Sequence, residues 1–132
     1  MPRRASSRPT EAELEILNVL WEHGPSTVRH VHQVLQADRQ TSLTTTLKLL
    51  QVMATKGLVI RDDRGYPQRF RPAAPQRETQ SKLLDDLIQR AFGGSAQKLL
   101  VRAVRDKKLS AHELREIRDL IDRRRKGKRG EE

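Results

Sequence analysis

Thr44, Thr45, Lys48 and Gln51 lie within one short stretch, Leu43–Lys56, where polar and apolar residues alternate at three- and four-residue intervals. Hydroxyl, ammonium and amide groups at that spacing fall on the outer side of a single helix, and such groups hydrogen-bond to base edges and phosphates. The threonine methyls can pack on a thymine methyl as well. Leu43, Leu49, Leu50, Met53 and the methyl of Thr46 make the opposite, apolar face. Threonine is a mediocre helix former, so three in succession at 44–46 point to a use beyond helix formation. A helix buried on one side and short, hydrogen-bonding and cationic on the other suits the DNA major groove. The bland alternative is an amphipathic helix that happens to have a threonine-rich outer face. Arg39 and Ser42, just ahead of the helix, are placed for backbone phosphates.

A second basic group follows. Arg61, Arg64 and Arg69, with Arg71, lie on two short strand-like runs and the turn between them. Strand alternation puts Arg69 and Arg71 on one face and Phe70 on the other. Positive charge there can bind phosphate or enter a minor groove. It also protects an edge strand from aggregation, and both uses can hold together. Tyr66 at the turn can pack on a sugar.

Other chemistry has little to build on. The four histidines are His23, His30, His32 and His112. His30 and His32 are two apart on a helix, about 200° around its axis, and do not converge on one metal. There is no cysteine, which excludes disulfides, thiolate metal sites and cysteine catalysis. Neither a Gly-rich phosphate loop nor a nucleophile elbow appears. The expectation is a protein that is not an enzyme, with no cofactor and no metal.

Local signals define the elements that hold these groups. Residues 1–9 are Pro, Ser and Arg with nothing to bury, read as a disordered basic arm, either solvated or touching phosphates. Thr10 and Glu13 have capping-box spacing for a first helix, whose apolar side is Leu14, Leu17, Val19, Leu20 and Trp21, with Ile16 flanking. Gly24-Pro25 ends it, and Ser26 or Thr27 caps a second helix with Val28, Val31 and Leu35 at core spacing. Thr41 or Ser42 caps the third, and Gly57 closes it. Leu58–Ile60 and Gln68–Arg71 read as two strands around an Asp62–Gly65 turn, with Pro67 and Pro72 confining the second to an edge.

Beyond Pro72-Ala73-Ala74-Pro75 only helical periods remain. Leu83, Leu84, Leu87, Ile88, Ala91 and Phe92 form a stripe that Gly93-Gly94 stops. Ser95 caps a helix with Leu99, Leu100, Ala103 and Val104. Ser110 and Glu113 open another with Leu114, Ile117, Leu120 and Ile121. About sixty residues cannot hide all these leucines unaided, and each one left exposed forfeits around 1.5–3 kcal/mol. A dimerisation region follows, on Leu83, Leu84, Leu87, Ile88, Phe92, Leu99, Leu100, Leu114, Ile117, Leu120 and Ile121; folding back on the N-terminal domain is the alternative. The basic block from Arg123 reads as a disordered charged tail, either solvated or adding non-specific affinity for DNA.

The resulting fold class is mainly α with a small β-hairpin. The expected domains are the arm (1–9), a winged helix-turn-helix DNA-binding domain (10–74), a helical dimerisation domain (75–122) and the tail (123–132). Composition agrees: 132 residues with a formal net charge of +10 favour a polyanionic partner, nucleic acid or an anionic membrane. No apolar run approaches the roughly 18–20 residues that span a bilayer, and the N-terminus is not a secretory signal, so no membrane insertion and a cytoplasmic location are expected.

The order Thr10-Glu-Ala-Glu-Leu-Glu-Ile-Leu-Asn-Val-Leu-Trp21 and then Thr27-Val-Arg-His-Val-His32 resembles the start of the BlaI/MecI/CopY repressors of penicillinase and copper operons. Thr44-Thr45 through Lys56-Gly57-Leu58-Val59 looks like their recognition helix, and Phe92-Gly93-Gly94-Ser95 with Lys108-Leu109-Ser110 through Glu113-Leu114 like their dimerisation half. The resemblance covers 10–122. It implies a homodimeric winged-helix repressor that binds a palindromic operator and occludes the promoter, with contacts from Thr44, Thr45 and Lys48. Val52 stands where the family commonly has an arginine. Copper-responsive members are released through a cysteine-rich motif, which this chain lacks. Antibiotic-resistance members are cut by a membrane sensor protease at an Asn–Phe bond, and the matching pair here is Arg102-Ala103. Two rivals remain from the residues alone: a winged-helix protein–protein adaptor, and a non-specific basic architectural or RNA-binding protein. The scarcity of aromatics, 3%, counts against a single-strand stacking platform.

Overall fold

Each N-terminal helix begins where a side chain can satisfy its orphan amides. In the computed structural model, which describes residues 8–36 and 41–131 with side chains through Gly127, Thr10 Oγ1 accepts from the Glu13 amide at 3.2 Å. The Glu13 carboxylate accepts in return from the Thr10 amide at 2.9 Å. This capping box opens α1 (Glu11–His23). Ser26–Thr27 form a short strand, β1, and Thr27 also caps α2 (Val28–Leu35), its hydroxyl accepting from the His30 amide. Ser42 caps α3 (Leu43–Lys56) in the same way, accepting from the Thr45 amide at 3.1 Å. Gly57 ends α3 in the left-handed region (φ +82°), where a side chain would be strained.

The chain then forms β2 (Val59–Asp62) and β3 (Arg69–Pro72), which pair antiparallel with Arg61 opposite Phe70 and Asp62 opposite Arg69. The sheet has three strands in the order β1-β3-β2. The expectation that Pro67 and Pro72 confine the second hairpin strand to an edge is therefore corrected: β3 is central. Pro67 lies outside the strand, and Pro72 ends it beyond the reach of β1, which pairs only Ser26 with Phe70 and Thr27 with Arg69. No ladder amide is lost by either proline on that side.

Among the described residues nine apolar side chains are buried together: Ile16, Leu17, Val19 and Leu20 of α1, Val31 of α2, Leu50 and Met53 of α3, Val59 of β2 and Phe70 of β3. At about 1.5–3 kcal/mol each, this burial is the main favourable term holding the helix-turn-helix to the sheet. Ile16, expected at the flank of α1, is central to the core. Trp21 is only half-buried and is anchored by its polar atom, the indole N–H donating to the Ala74 carbonyl at 3.2 Å. Leu43, expected on the buried side of α3, is exposed and lines a shallow cleft with Val28, Leu47 and Tyr66 instead.

Three helices complete the chain: α4 (Gln76–Ala91), α5 (Ala96–Asp106) and α6 (Ala111–Glu131). Compact units divide between Leu84 and Asp85, within α4. That is later than the 74/75 boundary expected from the proline-rich stretch, since Thr79 and Leu83 line a small cavity of the first unit with Leu17 and Leu58. Ser95 Oγ caps α5 by accepting from the Lys98 amide, and Ser110 with Glu113 forms a second capping box at the start of α6. Residues from 123, expected as a disordered tail, continue α6, which runs through Glu131. Arginine and lysine are good helix formers, and positive charge near a helix C-terminus is favoured by the macrodipole. Among the described residues no helix is long and apolar enough to cross a membrane.

Candidate nucleic-acid interface

The seating of α3 decides which of its residues meet solvent. Leu50 and Met53 are buried in the core, and Thr46, also buried, is fixed at both ends of its hydroxyl. Its Oγ1 donates to the Ser42 carbonyl at 3.4 Å and lies 3.4 Å from His32 Nδ1. The inner face of α3 is thus tied to α2 by a polar contact as well as by packing.

At its far end α3 is tied to α1. Lys56 Nζ lies 3.0 Å from both oxygens of Glu13, whose side chain is only 2% exposed. Burial raises the Glu13 pKa, but the Thr10 amide and the Lys56 ammonium more than reverse this, and the carboxyl sits below its ordinary value. Glu13 therefore closes α1's N-terminus and fixes α3's C-terminus with one group. Its spacing to Thr10 reveals the first role; the second spans 43 residues and has no local signal.

This seating leaves Ser42, Thr44, Thr45, Leu47, Lys48, Gln51, Val52 and Thr55 exposed. Ser42 and Thr45 satisfy one another, hydroxyl to hydroxyl at 2.9 Å, and Thr55 Oγ1 donates to the Gln51 carbonyl at 3.1 Å. Among the described residues the side chains of Thr44, Lys48 and Gln51 have no hydrogen-bond partner. The three share one strip by helical spacing, at i, i+4 and i+7. Arg39 lies outside the described residues.

The hairpin flanks this strip. One shallow cleft is lined by Gln51, Ala54, Thr55, Arg61, Asp63 and Phe70, so Arg61 faces α3. Another joins Thr27, Val28 and Arg29 with Leu43, Thr44 and Leu47 of α3 and with Tyr66, Pro67 and Gln68 of the turn. The arginines do not act as one group. Phe70 is buried with Arg69 and Arg71 exposed on either side of it, as alternation requires. Arg61, opposite Phe70, shares that residue's face instead. Arg61 Nε pairs with Asp63 at 3.1 Å. Arg64 makes a forked pair with Asp62, both bonds at 3.1 Å, and its guanidinium holds the Asp62 carboxyl down at about 2. Of the four arginines, Arg69 and Arg71 have no hydrogen-bond or ion-pair partner among the described residues. The acidic partners were missed in the sequence reading, although Asp62 and Asp63 sit between the arginines and carry the signal.

The second unit presents a different surface. Leu87, Leu100, Leu114, Leu120 and Ile121 are exposed, as is Leu84 just before the division, while Leu83, Ile88, Phe92, Leu99 and Ile117 are half-buried. Val101 and Val104 add to the exposed apolar side of α5. No described residue from 85 onward is buried. Arg102-Ala103 lies inside α5, with Arg102 Nη1 donating to Asp106 at 3.3 Å.

Comparison with known proteins places this geometry in context. The model of the penicillinase repressor family matches residues 9–123. A relative from Mycobacterium tuberculosis, described as the transcriptional regulator BlaI, is 38% identical over 102 residues, covering 74% of this chain and 72% of its own; the same protein is found in two strains. The methicillin resistance regulatory protein MecI of Mammaliicoccus sciuri is 20% identical over 115 residues, covering 87% of this chain and 94% of its own.

Proposed function

The chain belongs to the penicillinase repressor family, and from that membership we propose that it is a sequence-specific DNA-binding repressor that silences transcription by covering a promoter. Two copies would place α3 in successive major grooves of a palindromic operator, about 34–36 Å apart along one face of the duplex. Thr44, Lys48 and Gln51 would meet base edges, Ser42 and Thr45 the backbone beside them, and Arg69 a phosphate. Arg61 and Arg64 would engage DNA only by giving up Asp63 and Asp62. The exposed leucines of α4, α5 and α6 would be covered by the second copy. The protein acts without chemistry of its own, and in the cytoplasm, where the DNA is.

One observation supports this reading above the others: the strip Thr44, Lys48 and Gln51 is exposed and unpartnered on a helix anchored at both ends. A net charge of +10 supplies the long-range attraction. Lys48→Ala is the test, read by fluorescence anisotropy on duplexes selected from a random pool. A base-reading lysine loses about 1–3 kcal/mol on the preferred duplex and much less on others. A phosphate-binding lysine loses affinity evenly across sequences, with the salt slope reduced by about 1. If affinity and salt slope are both unchanged, the strip is not the contact surface.

A further inference from the structure

Three aliphatic side chains of α3 are exposed, Leu43 at its start and, further along, Leu47 and Val52. Leu47 is 39% and Val52 45% exposed, and neither belongs to the core. At about 100° per residue they lie roughly 140° apart around the helix, one on each side of the strip Thr44–Lys48–Gln51. We propose that Leu47 and Val52 are specificity-determining residues that read the 5-methyl groups of thymines at two different base pairs, an inference that rests on the DNA-binding reading above.

Chemistry favours this occupant over a protein. Lys48 lies between the two aliphatics with Thr44, Gln51 and Thr55 along the same strip, so Leu47, which has Leu43 on its far side, does not merge with Val52 into one apolar patch. A dry protein interface depletes charge from its centre, whereas here the centre is an ammonium. The floor of the major groove has the complementary arrangement: polar base edges, with the thymine methyl as its one apolar group. That methyl stands at the margin of its base pair, next to its own strand. Two flanking aliphatics are therefore suited to methyls on opposite strands, while the central strip hydrogen-bonds between them. Leu47 and Val52 lie about 7.5 Å apart along the axis, so they address separate base pairs.

The experiment uses the full-length protein and the tightest duplex that it selects from a random pool. Each thymine is replaced singly by deoxyuridine, which keeps the base pair and removes only the methyl. Covering one methyl corresponds to an affinity change of about four-fold. The expected result is a loss of that size at one or two positions in each half-site. At one of them the loss disappears in Leu47→Ala and persists in Val52→Ala; at the other the pattern reverses. Leu47→Met, which keeps an apolar reach, retains the sensitivity. If every deoxyuridine duplex binds like its parent, or if the alanine variants discriminate as the wild type does, the proposal is overturned while the repressor reading stands. If no preferred duplex emerges from the pool, both fall together.

Discussion

In the first unit, apolar side chains from Ile16 to Phe70 are buried by their own neighbours; in the second, no described residue is buried, although Leu87, Leu100, Leu114, Leu120 and Ile121 stand on well-formed helices. Local stabilisation is similar in both. Thr10 with Glu13 and Ser110 with Glu113 make the same capping box, and the second unit carries ion pairs one turn apart at Arg90–Asp86 and Arg102–Asp106, with His112 Nε2 3.0 Å from Glu116 at the same spacing. What separates them is tertiary burial. Caps and exposed ion pairs contribute tenths of a kcal/mol to about 1 kcal/mol each, and most helix stability in proteins comes from packing an apolar face. The first unit supplies that packing internally; the described residues of the second bury no side chain among themselves, and the proposed second copy would supply what is missing.

The largest effect should follow from attacking the uncovered face. Leu87→Asp combined with Ile121→Asp should remove on the order of 6 kcal/mol or more of association, counting both copies. Sedimentation should then show monomers, and far-UV circular dichroism should lose helix at micromolar concentration while the Trp21 fluorescence transition of the first unit remains. A wild-type melting temperature that does not move across a hundred-fold range of concentration would break the comparison, because it would mean that the second unit needs no partner.

Next in size is the self-sufficient core. Phe70→Ala should cost about 3–5 kcal/mol in urea unfolding followed by Trp21, since it empties the centre of the sheet against α1. Leu120→Ala, at a side chain 61% exposed, should cost little in a protein kept monomeric by the double substitution.

Glu13→Gln is a finer probe of the first unit and should cost about 1–3 kcal/mol at neutral pH, because it removes a buried charge partner of Lys56. The folded pKa of Glu13 lies below its ordinary value of 4.5. Its contribution is accordingly complete above that value and is lost as pH falls through the lower folded value. The stability gap between wild type and variant should close as the solution is acidified below 4.5; a gap independent of pH would mean that charge plays no part.

The smallest effect is expected on the hairpin. Asp62→Asn releases Arg64 from a pair on the surface, so the thermal midpoint should not move, while affinity for duplex DNA rises about two- to three-fold with a steeper dependence on salt. Unchanged affinity would remove Arg64 from the interface.

The sequence was most legible where structure is local. Thr27, Ser42 and Gly57 announce helix boundaries because each acts on amides or a turn within a few residues. Phe70 and its flanking arginines follow from strand alternation. The rest depends on partners distant in the chain. Ser26–Thr27 has no strand pattern of its own and becomes β1 only because β3 lies beside it. Glu13 looks like an exposed capping residue until Lys56 arrives from the end of α3. In the candidate site, the strip on α3 is readable from helical period, whereas the exposure of Leu43 and Leu47 is not, because composition alone does not tell an exposed leucine from a core one. The wing arginines looked equivalent, and they differ only once cross-strand register assigns them faces.

Thr27 sits opposite Arg69 in the sheet and at the same time holds the first turn of α2 through the His30 amide. One residue is therefore a rivet between hairpin and helix, and α2 in turn meets α3 at His32 and Thr46. A duplex that tilts the hairpin as it docks would strain that rivet. The strain would reach α3 through α2 within a few bonds, so a bent and a straight site would feel different to the same set of side chains.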